Sequence, residues 1–157
     1  MSELQVPEGF KPYRIDHSFN DVVSPLYMKM TDHGPVIGMH ILKKHCNFVG
    51  FAHGGCLMTF MDIVLSGAVC NALGKYTSTP TVSINFDFLN TAKEHHWIEA
   101  NVLSVTLKRT MGFVNATIEG HEGLIANVNA CFKIPADLEA YPGMDSDEYH
   151  VWRMSED

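Results

Sequence analysis

The chain has 157 residues and a net charge of −7, with 46% hydrophobic and 18% charged residues, as expected for a single folded domain. Its acidic balance, with no long Lys or Arg run, speaks against a nucleic-acid partner. No uninterrupted apolar stretch reaches the roughly 20 residues of a bilayer span; residues 54–73 come nearest and Asp62 interrupts them, so no membrane contact is expected.

In chain order, Pro7, Pro12 and Pro25 limit regular structure at the start, leaving room for a short amphipathic helix near Ser18 to Val23. Tyr27 to Thr31 and Pro35 to Lys43 read as strands joined by the turn Asp32-His33-Gly34. A loop then leads to His53. From Gly54 to Leu73 the chain reads as one helix, and Gly74 is placed to stop it. Four further strands are expected at Thr79 to Leu89, Trp97 to Leu107, Phe113 to Glu119 and Leu124 to Ile134. In the first of these, simple alternation puts Val82, Ile84, Phe86 and Phe88 on one face, and Thr81, Ser83, Asn85 and Asp87 on the other. After Pro135 the composition turns polar and acidic. The expected organisation is therefore α+β: one long helix against an antiparallel sheet of about six strands over residues 21–135. An N-terminal extension (1–20) and an acidic surface tail (136–157) flank it.

Four cysteines, Cys46, Cys56, Cys70 and Cys131, show no paired spacing, and the opening Met-Ser-Glu-Leu-Gln-Val-Pro lacks the charged-then-apolar order of an export signal. Reduced thiols in a cytoplasmic protein are expected.

The chemistry concentrates on Phe51-Ala-His-Gly-Gly and the helix behind it. Glycines at a helix start expose bare N–H groups where the dipole favours negative charge, so Gly54 and Gly55 are candidate oxyanion donors. Gly55, Thr59, Asp62 and Ser66 follow at helical spacing and form one narrow polar stripe. Such a stripe is either a solvated face or, since it holds no Lys, Glu or Arg, the wall of a pocket or subunit contact. Asp62 is the candidate base or nucleophile, because a carboxylate in an apolar helix is costly unless it is compensated or used. His53 is read as an orienting group ahead of a base. Lys108 and Arg109 are either a solvated hairpin tip or a cationic patch for a phosphorylated ligand. No metal-ligand spacing, phosphate loop, dinucleotide fingerprint or Gly-x-Ser-x-Gly elbow occurs, so no metal and no cofactor are expected.

Asn47-x5-His53-Gly54-Gly55-x6-Asp62, followed by Thr81-Val82-Ser83-Ile84-Asn85-Phe86 and Asn90-Thr91-Ala92, resembles the hotdog-fold acyl-CoA thioesterases of the phenylacetic-acid-degradation and 4-hydroxybenzoyl-CoA branch. The resemblance covers about residues 20–135. It implies a hotdog fold, a homodimer paired edge to edge that often forms a dimer of dimers, and active sites at the dimer interface acting on acyl-CoA. By that resemblance Asp62 is nucleophile or general base, and the Gly54 amide binds the thioester carbonyl. Asn47 and His53 position substrate or water from the opposite subunit, and Thr81 helps hold the attacking water. Gly55, Thr59, Ser66 and Ser83 would line the substrate path, and Lys108 and Arg109 would meet the CoA nucleotide. Asn90-Thr91-Ala92 departs from the family's common Ser-Pro-Ala, and the tail has no family counterpart. A hotdog hydratase or dehydratase, or a non-catalytic acyl-CoA binding module, are the competing readings.

Overall fold

The computed structural model describes residues 4–15 and 18–155. Parts of the expected extension (1–3 and 16–17) and the end of the tail (156–157) lie outside them. The strands are β1 (Lys11–Tyr13), β2 (Leu26–Thr31), β3 (Gly34–His40), β4 (Lys75–Thr77), β5 (Thr81–Phe88), β6 (Trp97–Leu107), β7 (Met111–Gly120), β8 (Gly123–Lys133) and β9 (Gly143–Asp145). The helices are α1 (Gly54–Leu73) and α2 (Ser146–Met154). Seven strands form one antiparallel sheet in the order β1-β2-β3-β6-β7-β8-β5, and β4 pairs with β9 apart from it.

α1 is the organising element. Its interior has no proline, and Gly74, at φ +73° in the left-handed region, ends it as a C-terminal cap. By length and hydropathy it would pass for a membrane span. Its packing assigns it to a core instead: Leu57, Met61, Leu65 and Val69 are buried at steps of four residues along one side, with Phe60 fully buried beside them. The sheet face that meets it carries small residues. Ala100, Ala116, Ala126 and Ala130 are buried there among Ile98, Val114, Ile118, Val128 and Phe132, which lets the sheet curl closely round a bulky helix. Gly112 shows how close: a Cβ there would lie 2.9 Å from the Val69 side chain.

The sequence expectation holds for this frame, with α1 and β6 at the expected bounds and the other long strands within two residues at most ends. The second strand stops at His40, because Lys43–His45 turns as a short 3-10 helix. The expected short helix is likewise a 3-10 turn, Phe19–Val23, capped by the Ser18 hydroxyl. The sheet has seven strands, not about six: β1 in the extension adds the seventh by pairing Pro12 with Tyr27. The tail is no loose appendage. β9 pairs with β4, Tyr149 on α2 stacks on Tyr76 with ring centroids 3.4 Å apart, and the Arg14 amide donates to the Arg153 carbonyl at 2.9 Å.

At the other end of the sheet, Trp97 fills a cluster with Phe10, Tyr27 and His40, and its indole N–H donates to Glu99 at 2.8 Å. Gly38 lies directly beneath that ring, well inside the space a Cβ would need. The ring is held by its packing against Phe10, Tyr27 and His40 and by its bond to Glu99, so it can give way only by disturbing them. Gly38→Ala is therefore expected to cost about 1–3 kcal/mol, read as a fall of several degrees in Tm with activity per folded molecule retained.

Candidate active site

Two half-sites lie on α1. The first is at its N-terminus. His53 is the N-cap residue, and its Nδ1 accepts from the Gly55 amide at 2.9 Å. Two consequences follow. The Gly55 N–H is consumed by the cap, which corrects the expectation that both glycine amides serve as oxyanion donors. And a neutral His53 with Nδ1 as acceptor carries its proton on Nε2, so the exposed ring offers a donor rather than a base. Among the described residues the Gly54 N–H has no acceptor, so of the two glycine amides at the helix start it is the one left bare.

The loop before it is built to hold that amide in place. The Asn47 side-chain oxygen accepts from the Val49 and Phe51 amides, both at 3.1 Å, and the Asn47 amide donates to the Phe51 carbonyl at 2.7 Å. Gly50, at φ +88°, closes the turn. With its oxygen occupied, Asn47 presents its amide NH2. Asn47, Gly54, Leu57, Phe88 and Asn90 line one recess of about 210 Å³. Ala92 accepts from the Ala52 amide at 2.8 Å, so Asn90-Thr91-Ala92 acts as a brace for this loop. His45 braces it from beneath: its carbonyl accepts from the His53 amide at 2.8 Å, and its Nδ1 accepts from Leu42 at 3.0 Å.

The second half-site is about two turns further on. The Thr81 hydroxyl donates to Asp62 Oδ1 at 2.6 Å, and Asp62 is half-buried. Simple alternation had put Thr81 on the face away from Ile84 and Phe86. A bulge between Thr81 and Ser83 overturns that: Thr81 pairs with Phe132 while Ser83 pairs with Cys131, so Val82 is the extra residue. Thr81 thereby joins Ile84, Phe86 and Phe88 on the inner face, Val82 is left 58% exposed, and Ser83 stays on the outer face.

Asp62 and Ser66 line a cavity of about 550 Å³ whose far wall is Tyr13, Tyr149, Trp152 and Arg153. The sequence reading missed that wall entirely. Its signal was present as Asp145-Ser-Asp-Glu, a helix-start pattern in which Asp145 accepts from the Asp147 amide at 2.9 Å. The other stripe residues are spent locally: the Thr59 hydroxyl donates to the Gly55 carbonyl at 2.9 Å, and Ser66 to Ile63 at 3.3 Å. Lys108 and Arg109 are exposed at the β6–β7 tip, which packs beside Val69 and so lies at the end of α1 remote from Gly54. No cluster of metal ligands is present among the described residues.

The two half-sites cannot meet within one chain. Eight residues of α-helix separate Gly54 from Asp62, a rise of about 12 Å. One carbonyl group cannot touch both.

A central helix in a curled antiparallel sheet, with these two half-sites, defines the hotdog class. The Thioesterase superfamily model matches residues 49–126. Over 133 residues, 84% of this chain and 99% of the relative, the sequence is 30% identical to a Pseudomonas aeruginosa protein named "Putative esterase PA0474". Zebrafish thioesterase superfamily member 2 superposes with a TM-score of 0.64 at 24% identity, over 76% of this chain and 88% of that one. A hypothetical thioesterase from Streptococcus pneumoniae, solved with coenzyme A, gives 0.59 at 24% identity, over 70% and 85%. The chain belongs to the thioesterase superfamily.

Two outcomes follow from this geometry. Thr81→Ala, which removes a hydrogen bond to a charged group, is expected to cut turnover about 10- to 100-fold while Thr81→Ser retains most of it; steady-state kinetics of the two variants decides. Burial holds the imidazoles of both His45 and His150 below the ordinary histidine range. The unfolded chain then takes up protons near pH 6.5 that the folded one does not. Stability is present above that pH and is lost as pH falls below it, so Tm should drop between pH 7.5 and 5.5. His45→Asn keeps an acceptor for Leu42 and should shrink that drop.

Proposed function

We propose that this protein is an acyl-CoA thioesterase, hydrolysing a CoA thioester to a free acid and CoA. The observation that carries the reading is the hydrogen bond from Thr81 to Asp62, a carboxylate that lines a cavity and lies on the same helix whose first amide is bare. Family membership supports thioester hydrolysis, and the neighbour solved with coenzyme A supports CoA as the carrier.

Because the half-sites are about 12 Å apart, the working site joins Gly54 and Asn47 of one copy to Asp62 and Thr81 of another. β5 supports a homodimer: it is an edge strand of the sheet, with Val82 58% and Phe88 45% exposed. The loop beside His53 adds Phe48, wholly exposed, and Val49. A second copy laid against this edge would cover these apolar groups, and further pairing into a dimer of dimers follows the family resemblance.

In the mechanism, Asp62 acts as general base. Thr81 occupies Oδ1, which leaves Oδ2 to take a proton from one water as its oxygen attacks the thioester carbon. The carbonyl electrons move to oxygen and are held by the Gly54 N–H and the amide of Asn47. Their return breaks the C–S bond, and the CoA thiolate takes up the proton from Asp62. The His53 Nε2–H steers the carbonyl or the water. The four cysteines are unpaired, which supports placement in the cytoplasm, and burial raises the Cys56 thiol to about 11.

The test is thiol release from a panel of aromatic, short-chain and long-chain acyl-CoAs. Asp62→Asn keeps the shape and removes the basicity, so release should fall by about three orders of magnitude. Near-normal release from the purified variant would overturn the assignment, and saturable binding without release by the wild type would favour a binding module.

A further inference from the structure

The C-terminal segment forms a wall of the cavity that holds Asp62, and that wall carries a cation. Arg153 sits among three rings, 4.7 Å from the centroid of Trp152, 4.9 Å from Tyr149 and 5.4 Å from Tyr13. Its Nε donates to the Tyr149 hydroxyl at 2.6 Å and its Nη1 to the Arg14 carbonyl. Both partners are neutral, so the charge is uncompensated and further N–H donors remain. Among the described residues no carboxylate lies within ion-pair distance of Arg153, in a chain with 18 acidic residues against 11 basic. A half-buried cation without a counter-charge is costly, and the surrounding rings offset only part of that cost.

The rest of the wall is uncharged. Of the residues lining the cavity, Asp62 and Arg153 alone carry formal charge. Burial pushes the Tyr13 and Tyr76 phenols above their ordinary values, so they stay neutral. The aromatic faces are already engaged with one another and with the guanidinium, which leaves the cation as the unmatched group. At about 550 Å³ the cavity lies within the roughly 300–1,000 Å³ of small-molecule sites.

We propose that the cavity accepts an acyl group whose far end bears a carboxylate: the thioester end meets Asp62 and the distal carboxylate pairs with Arg153. The substrate class is then an ω-carboxyacyl-CoA and the product a dicarboxylic acid. This inference rests on the thioesterase reading above. Arg153 is a specificity-determining residue in it and takes no part in the bond-breaking step.

The experiment compares CoA esters of matched length, a six-carbon acyl chain ending in a carboxylate and one ending in a methyl group. Wild type should favour the carboxylate ester about tenfold or more in kcat/KM, and Arg153→Met should abolish that preference through KM while leaving the methyl ester within about threefold. Arg153→Lys, which keeps the charge, should restore part of it. The wild-type comparison needs no variant, so it tests the proposal even where Arg153→Met fails to fold. Release from the methyl ester with no preference for the carboxylate overturns this inference alone. Loss of both esters to the same extent in a folded Arg153→Met overturns it too, because that is what a purely structural clamp on the tail predicts. Release from neither ester, with the wider panel also silent, removes the thioesterase reading and this inference with it.

Discussion

The rigid spacing along α1 governs everything else in this molecule. A helix rises about 1.5 Å per residue, so a bare amide at Gly54 and a carboxylate at Asp62 are held apart by a distance no side chain can close. The helix cannot bend to bring them together, because Leu57, Phe60 and Met61 are locked in the core between them. That rigidity is useful for catalysis by a different route. Each group is fixed in orientation before any substrate arrives, and in the proposed dimer the complementary half comes from a second, equally rigid helix.

Much of this was legible in the residues. Gly54, Asp62 and Gly74 mark the helix and its chemistry, and the long strands declare themselves by alternation. What stayed hidden has identifiable causes. Thr81 was assigned to the wrong face because alternation assumes an unbroken ladder, and one extra residue at Val82 reverses it. Gly55 was counted as an oxyanion donor because nothing in a sequence shows that His53 folds back to accept a hydrogen bond from its N–H.

The C-terminal segment was hidden for another reason. Its polar, acidic composition reads as a solvated tail, yet its structure depends on a few specific contacts and little buried area. Tyr149 on Tyr76, His150 bonded to Asn71 at 3.1 Å, and the Lys75 ammonium on the Leu138 carbonyl at 2.6 Å hold it against the end of α1. The residues that tell where it docks, Tyr76, Asn71 and Lys75 with Tyr13 and Arg14, lie far upstream in the chain. The tail thus lines the same cavity as Asp62 through Tyr149, Trp152 and Arg153, which is the wall on which the proposed substrate preference rests.

The most direct measurement is complementation between two inactive chains. Gly54→Pro deletes the bare N–H, and proline suits the first helical position after a residue as extended as His53, at ψ 133°. Asp62→Asn deletes the base. If the site spans two copies, co-expressing the two variants gives mixed dimers with one intact site each, restoring about a quarter of wild-type thiol release. Activity no greater than that of either variant alone, in mixtures shown to contain the mixed dimer, would contradict a shared site.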